Sequence, residues 1–444
     1  MGWRCRLYGA RETYLMQFKF AYAVTLAAAV AMATACSKKD DGDAATAASA
    51  VPVASANVAA SAPGASTTTA SDASAESTST SAIPAVAASE ATVVKIGHVA
   101  PLSGSLAVLG QDNENGARLA IEDISAQGLT IDGHPIHLEL DAQDDAADPK
   151  KGVDAAQRLV ADHVVAVVGH LNSGVSVLAS KTYSDANVAQ ISAASTNPGY
   201  TEQGFKTTFR VVPTDAQQGP VLATYALKTL HAKRIAVVDD ATLYGRGLAN
   251  EFAKAVVAGG GKIAGHEVTT EKSKDFKAIL NKIKRVQPDV IMYAGMDATA
   301  GPFAKQAAAL GMKAKILSGD GACSTQMATL AGDASQNVVC SEVGVDLSKL
   351  DNGADFAKRY EARFHEPVQN YAPFTYDAVY VIVDAMKRAN SVEAPKVLAA
   401  IASTDFKGLT GRISFDDKGD LKGGAFTLIE FKDNKKNVID VVTP

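Results

Sequence analysis

A regular alternation of short β-branched runs with helical segments constrains the fold of residues 92–444 more than any other feature. The runs are almost continuously apolar, as expected for parallel strands covered by helices on both faces. Strands are predicted at 93–100, 137–143, 164–170, 188–192, 234–240, 262–268, 289–295 and 315–319. Helical stretches are predicted at 116–126, 151–161, 215–230, 276–286 and 299–310, with longer patterns at 356–364 and 376–388. The alternation predicts an α/β fold with parallel sheets and right-handed crossovers.

The series of strands is longer than a single core needs, and it pauses at FRVVPTD (209–215), where a proline follows a strand. We interpret this pause as a crossing between two lobes, each built on a doubly wound sheet. A ligand would then bind beside the carboxyl ends of strands, in the cleft between the lobes. Near the C-terminus, RISFDDKGDLKGGAFTLIEF predicts a hairpin-like end with DDKGD as its turn.

The N-terminal region has the order of a secretory signal: Lys19, an apolar run over 20–33, and small residues leading to Cys36. The apolar run is shorter than the roughly 20 residues of a membrane span. Cys36 stands where a lipoprotein signal places its modified cysteine, and simple cleavage after Ala35 without a lipid is the alternative. We therefore predict a signal peptide over 1–36, with the true start at Met16 and a lipid on Cys36.

A segment rich in Ala, Ser and Thr follows, over residues 37–91. It has few charges and no sustained helical or strand period, so it cannot bury enough apolar surface to become ordered. We predict a disordered tether that holds the folded part near a membrane while it works in aqueous space.

The composition and the motifs argue against several function classes. The net charge of -5 gives no reason to expect a nucleic-acid partner. The sequence contains neither a G-x-S-x-G nucleophile elbow nor an H-E-x-x-H zinc helix, and its eight histidines lack metal-ligand spacing. No cofactor, metal or enzymatic activity is therefore expected.

Cys323 and Cys340 are close in sequence within an exported domain, which favours a disulfide between them. His170 ends a predicted strand, where a structural role is the alternative to a role in the cleft.

Two predicted strand ends could bind a carboxylate. The first, GHLNSG (169–174), feeds a helix, so its backbone N–H groups and the Ser173 hydroxyl could hold an anion, unless Ser173 only caps the helix. The second, SAASTNP (192–198), offers the Thr196 hydroxyl as a donor and the Ala194 carbonyl as an acceptor. As an isolated pattern, this second stretch could also be an ordinary polar loop.

A third strand end could bind an ammonium group. Asp320 stands between glycines in SGDG (318–321), and a cation that is withdrawn from water needs an anionic partner. The alternative is an aspartate that only stabilises a turn.

Several stretches, in this order and spacing, resemble the leucine/isoleucine/valine-binding proteins, which are type I periplasmic binding proteins. They are IGHVAPLSG, DNENGARLAIEDI, DDAADPKKGV, VVGHLNSG, ISAASTNP, FRVVPTDAQQG, VVDDATLYGRGLA, DFKAILNKIK and FDDKGDLKG. The resemblance covers residues 95–431. It implies two lobes joined by three crossover segments, with the N-terminal lobe at 92–213 plus 345–409 and the C-terminal lobe at 214–344 plus 410–434.

The resemblance also implies roles for individual residues. Ser173 and Thr196 would hold an α-carboxylate, and the Ala194 carbonyl and Asp320 would hold an α-ammonium. The other implied ligand-binding residues are Tyr244 from the second lobe, the pocket residues Leu109, Leu171, Met296 and Tyr371, and the neighbouring Asn172 and Ser195. The chain departs from well-known members, which have tyrosines in place of Leu109 and Met296 and, in some, a glutamate in place of Asp320. Ala146 and Asn172 stand where some members have a disulfide.

The function implied is capture of Leu, Ile, Val or a related neutral amino acid and its delivery to the permease subunits of an ABC importer. The protein would be a monomeric periplasmic lipoprotein that contacts the membrane through its lipid anchor. The alternatives are a ligand-sensing receptor of the same fold for amino acids or small amides, and an amidase or hydrolase, which the missing motifs disfavour.

Overall fold

The computed structural model describes residues 91–444 of the protein. The predicted signal peptide, Cys36 and the predicted tether up to residue 90 lie outside the described residues. Within residues 91–444, no helix is both long and apolar enough to cross a membrane.

The described residues form fifteen strands and eleven α-helices. The strands are β1 (Thr92–Ala100), β2 (Leu129–Ile131), β3 (His134–Asp144), β4 (Ala166–Gly169), β5 (Ala189–Ser192), β6 (Thr208–Arg210), β7 (Ile235–Asp239), β8 (Ile263–Val268), β9 (Val290–Ala294), β10 (Lys315–Ser318), β11 (Val338–Val343), β12 (Asp405–Lys407), β13 (Arg412–Ser414), β14 (Phe426–Lys432) and β15 (Lys435–Val442). The helices are α1 (Ala107–Gln127), α2 (Pro149–Ala161), α3 (Ser173–Asp185), α4 (Asp215–Thr224), α5 (Leu243–Ala258), α6 (Lys277–Arg285), α7 (Asp297–Ala309), α8 (Thr325–Ala331), α9 (Gly353–Phe364), α10 (Ala372–Ala389) and α11 (Ala394–Ile401).

Two sheets organise these elements. The first has the order β2-β3-β1-β4-β5-β6, and the second has the order β15-β14-β11-β10-β9-β7-β8. The central strands of both sheets are parallel, whereas β2, β14 and β15 pair antiparallel with their neighbours. The central strands, such as β4 and β9, are buried along their whole length, as their continuous apolar runs require. Both sheets are thus mixed at one edge rather than parallel throughout.

The chain passes between the two lobes three times. It leaves the first sheet after β6 and builds the second sheet up to β11. It then returns, and α10 packs on α1 while α11 packs on β4 and β5, before β14 joins the second sheet beside β11. The predicted α/β class, with two doubly wound lobes and three crossover segments, is confirmed.

The predicted hairpin near the C-terminus is only partly correct. The turn exists, with Phe415 bridged to Leu421, but the runs that flank it enter different sheets. β13 pairs with β12, and β14 pairs with β11 and β15. The turn lies on the third crossover, where Asp420 bonds to Arg210 on β6, so long-range contacts override the local hairpin pattern.

Helix α1 begins nine residues before the predicted start, at Ala107 instead of residue 116. The added part includes the polar run DNEN (112–115), which is buried. Asp112 accepts bonds from the backbone that precedes α10, and Asn115 donates to the Tyr360 hydroxyl at 3.3 Å. These partners lie far away in sequence, so the polar run looks like an exposed loop when it is read locally.

His98, on β1, is expected to make stability depend on pH. Burial lowers the pKa of His98 from 6.5 to about 3, so between these values the unfolded chain binds a proton that the folded chain excludes. The associated stability is complete above pH 6.5 and is lost as the pH falls towards 3. We expect the free energy of unfolding to decrease more steeply with falling pH than in His98→Leu, by up to about 1.4 kcal/mol per pH unit. Urea unfolding between pH 7 and 4 measures this, and parallel curves would contradict it.

Candidate functional site

A cavity of about 310 Å³ lies between the two lobes. Its wall comes from loops of the first lobe at 103–106, 146–149 and 172–175, and from loops of the second lobe at 240–244, 271–272 and 296–299. Of the predicted ligand-binding residues, Asn172, Ser173, Tyr244 and Met296 line this cavity. The remaining predicted residues are buried and do not line the cavity. Leu171, Ala194, Ser195, Thr196 and Asp320 follow the carboxyl ends of parallel strands, where such sheets place their ligands, whereas Leu109 lies on α1 and Tyr371 precedes α10.

The first lobe contributes hydroxyl groups that follow β4 and β5. Ser173 is the first residue of α3, and its Oγ accepts a bond from the Asn197 backbone N–H at 3.3 Å. The Thr196 hydroxyl is buried beside the Asp215 carboxylate and makes no well-oriented hydrogen bond within residues 91–444. Together with the N-terminal end of the thirteen-residue α3, these groups have the chemistry that suits an anion.

Ser195 and His170 are engaged within the first lobe. The Ser195 Oγ lies 2.7 Å from the Ser176 Oγ and donates to the Leu171 carbonyl at 3.1 Å. His170 is fully buried, with Nδ1 2.9 Å from Asp145 Oδ2 and Nε2 3.1 Å from the Tyr183 hydroxyl. Both side chains support the loops rather than face the cavity.

Arg210, which was not predicted as a site residue, holds the loop that carries Ala194 and Thr196. Its guanidinium is fully buried and donates to the Ser195 carbonyl at 2.6 Å and to the Asn197 carbonyl at 3.0 Å. It also forms an ion pair with Asp420 at 2.6 Å. Ala194 is buried as well. The bonds from Arg210 therefore hold the loop backbone in place without a ligand.

Asp320 is the negative centre of the second lobe. It begins a 3₁₀ turn after β10, and its carboxylate is held by two tyrosines from opposite lobes. The hydroxyl of Tyr244, on α5, donates to Oδ1 at 3.0 Å, and the hydroxyl of Tyr371, just before α10, donates to Oδ2 at 2.7 Å. Burial raises the pKa of Asp320, which shows that the ionised form lacks full compensation.

A second acidic residue, Asp215, was missed by the sequence reasoning. It is the first residue of α4 and is fully buried, and neither carboxylate oxygen has a well-oriented partner within the described part of the chain. Burial, and next the negative charge of Asp320, raise the pKa of Asp215. A single cation bound close to the two carboxylates would stabilise the ionised form of each. The signal was present in FRVVPTD, which we read only as a lobe boundary.

The predicted apolar pocket residues all belong to one buried cluster. Leu109, Leu171, Met296 and Tyr371 are part of this core, which runs through both lobes, and so is Tyr244. Met296 reaches the cavity wall, whereas Leu109 and Leu171 do not. Among residues 91–444, no group of three or more His, Cys, Asp or Glu side chains is arranged to hold a metal ion.

The structure pairs Cys323 with Cys340 in a disulfide, with their Cα atoms 5.6 Å apart. The bridge ties the turn that begins at Asp320 to β11. Removing it in Cys323→Ser/Cys340→Ser should lower the free energy of unfolding by roughly 3 kcal/mol, because the unfolded chain gains freedom. Urea unfolding measures the loss.

The matched control for the disulfide prediction is the wild-type protein in reductant. The other cysteines, Cys5 and Cys36, precede the described residues, so reduced wild type and the double variant should unfold at the same urea concentration. Equal stability of the oxidised and reduced proteins would contradict the prediction.

Comparison with known proteins gives one consistent family. A family model described as "Periplasmic binding protein" matches residues 93–436. The "Leu/Ile/Val-binding protein homolog 1" of Brucella abortus is 35% identical over 362 residues, which cover 81% of this chain and 96% of that protein. The "Leucine-, isoleucine-, valine-, threonine-, and alanine-binding protein" of Pseudomonas aeruginosa is 32% identical over 341 residues, covering 77% and 90%.

Solved structures agree with this grouping. A leucine-binding protein from Thermotoga maritima superposes with a TM-score of 0.74 at 28% identity, covering 79% of this chain and 99% of that one. The branched-chain amino acid transporter substrate-binding protein LivJ of Streptococcus pneumoniae, in complex with isoleucine, gives 0.73 at 28% identity, covering 80% and 100%. The chain therefore belongs to the periplasmic binding proteins, in the family of the Leu/Ile/Val-binding proteins.

Proposed function

We propose that this protein is the extracytoplasmic solute-binding component of an ABC importer, and that it captures a branched-chain or related neutral amino acid. The observation that carries the proposal is the pairing of opposite polarities across one cleft. Buried carboxylates lie in the second lobe, at Asp320 and Asp215, and hydroxyl and helix-end donors lie in the first lobe, at Thr196 and α3. A zwitterionic amino acid matches this arrangement.

In the proposed complex, the α-ammonium binds the Asp320 carboxylate and the Ala194 carbonyl, with Asp215 nearby. The α-carboxylate takes the Ser173 and Thr196 hydroxyls and the N–H groups at the start of α3. Charge-assisted hydrogen bonds of this kind are short and strong in a buried site. They fix the part of the ligand that all amino acids share.

The side chain of the ligand would extend towards Met296, with Leu109 and Leu171 in the same apolar cluster. An apolar wall favours Leu, Ile or Val, because no buried polar partner would be left without a bond. Two relatives are named for these amino acids, which supports the choice.

Delivery follows from closure of the lobes. The ligand makes its full set of contacts only when the lobes are together, so binding shifts the population towards the closed form. We propose that this form is recognised by the permease subunits and that no bond is made or broken. Lipid attachment at Cys36, a monomeric state, a periplasmic location and the lobe boundaries at 213/214, 344/345 and 409/410 are part of the same proposal.

Calorimetric titration of the purified protein with the twenty amino acids tests the ligand class, after unfolding and refolding to remove any bound compound. One-to-one binding of L-leucine, L-isoleucine or L-valine is expected. Binding of another amino acid would overturn the branched-chain assignment but would still support the proposed roles of Asp320, Ser173 and Thr196 in binding the ammonium and carboxylate groups. If none of the twenty amino acids binds, the proposed binding of the ammonium and carboxylate groups is overturned. A ligand-sensing role for other compounds would then be the better explanation.

A further inference from the structure

The short segment 369–371, immediately before α10, belongs to the first lobe, but its side chains bond to the second. The Gln369 side-chain oxygen accepts from the Thr325 hydroxyl at 2.7 Å. The Asn370 side-chain amide donates to the Asp320 carbonyl at 2.7 Å, and the Tyr371 hydroxyl donates to the Asp320 carboxylate at 2.7 Å. Each of these residues therefore links the lobes, and two of the links end on Asp320.

Asp112 anchors this segment to the first lobe. Its carboxylate is buried on α1 and accepts bonds from four consecutive backbone N–H groups at 2.8 to 3.1 Å, those of residues 369–372. The Tyr360 hydroxyl donates to the same carboxylate at 3.2 Å. A carboxylate with this many donors is a rigid support, so the segment moves with the first lobe when the lobes separate.

Lys436, on β15 of the second lobe, binds the same segment through hydrogen bonds. Its ammonium donates to the Gln369 carbonyl at 2.8 Å, to the Asn370 side-chain oxygen at 3.0 Å and to the Glu342 carboxylate at 2.6 Å. Because the lysine takes the amide oxygen of Asn370, the amide nitrogen must point the other way, towards the Asp320 carbonyl. Lys436 thereby sets the orientation of the group that holds the Asp320 backbone.

We propose that Lys436 and Asn370 form a closure latch that positions Asp320 and holds the lobes together, an inference that rests on the proposed function. Its bonds cross from one lobe to the other, and we expect opening of the cleft to break them. The latch favours the closed form without contacting the ligand, and it acts on the ligand only through Asp320 and through how long the cleft stays shut. Lys436 and Asn370 are positioning residues, and they leave side-chain selectivity untouched.

Lys436→Met removes the ammonium and keeps the length of the side chain. With L-leucine as the probe, we expect the Kd to rise about tenfold, mostly through faster dissociation, because the closed form loses stability relative to the open form. The ratio of the Kd values for L-leucine and L-valine should stay within about twofold of the wild-type ratio. X-ray scattering should show a larger radius of gyration for the ligand-free variant than for the ligand-free wild type.

Lys435→Met is the matched control, since Lys435 is the preceding residue on the same strand and is exposed. A purely structural role for Lys436 would lower the melting temperature and leave the dissociation rate and the ligand-free radius of gyration at the control values. That result overturns the latch. If circular dichroism shows that Lys436→Met does not fold, the dissociation rate and the ligand-free radius of gyration of Asn370→Ala test the latch instead.

The scattering measurement separates failure of the latch from failure of the proposed function. If the wild type does not bind L-leucine but the ligand-free variants still expand, the latch stands and the ligand assignment falls. If L-leucine binds equally well to all variants and the radii agree, the latch falls and the ligand assignment stands.

Discussion

Asp320→Asn should weaken L-leucine binding at least about 100-fold, because an ammonium group buried without an anionic partner costs several kcal/mol. Asparagine keeps the size and shape of the side chain, and its oxygen can still accept from Tyr244 or Tyr371. The change therefore removes the charge and little else. Calorimetry on the refolded protein measures the loss, with Asp162→Asn, an exposed carboxylate at the end of α2, as the matched control.

Stability separates loss of the charge from misfolding. Burial raises the pKa of Asp320, so its ionised form is under-compensated when no ligand is bound. Ligand-free Asp320→Asn should thus be as stable as the wild type or more stable. Weaker binding in a protein of undiminished stability supports the ammonium role. An affinity that stays within a few-fold of the wild type would transfer this role to Asp215, and Asp215→Asn would then show the larger loss.

Arg210→Met should lower the free energy of unfolding by roughly 3–5 kcal/mol, the range for breaking a buried ion pair on one side. The guanidinium is fully buried, and its donors satisfy Asp420, the Ser195 carbonyl and the Asn197 carbonyl. Methionine can fill much of the volume but leaves these acceptors without a partner. Urea unfolding at neutral pH measures the change.

Arg234→Met is the control for that prediction. Arg234 pairs with Asp289 at 3.5 Å, and its side chain is 51% exposed, so solvent screens the pair and its loss should cost less than about 1 kcal/mol. Equal losses in the two variants would contradict a special role for Arg210. We also expect weaker L-leucine binding in Arg210→Met, since the loop that carries Thr196 loses its support.

Local patterns predicted most of the buried parallel strands, because a strand covered on both faces must be apolar along its length, although the buried β11 was not among them. β15 was missed for the opposite reason: at the edge of the sheet, the sequence KKNVIDVV needs no apolar run. The first half of α1 was missed because its polar residues find their partners more than 240 residues away.

Candidate site residues could be named from the sequence where one residue type at a strand end implies one kind of chemistry, as at Asp320 and Thr196, and their roles stay predictions. It was not predictable where the geometry depends on distant segments. Tyr371 was expected as a pocket wall, and the structure adds a hydroxyl bond to Asp320 from the opposite lobe. Asp215 and Asp112 stand in patterns that also suit a lobe boundary and an exposed loop, and only tertiary contacts distinguish these cases.

The threefold passage of the chain between the lobes constrains the order in which the molecule can assemble during translation. A ribosome has to produce the second lobe through β11 before it reaches α10 and α11, which cover the first sheet. Until then, apolar strands such as β4 and β5 have one uncovered face, a state that attracts chaperones and promotes aggregation. The nascent chain is thus poorly suited to folding one lobe at a time from its N-terminus. The first sheet can be fully covered only after the second lobe has been synthesised through β11.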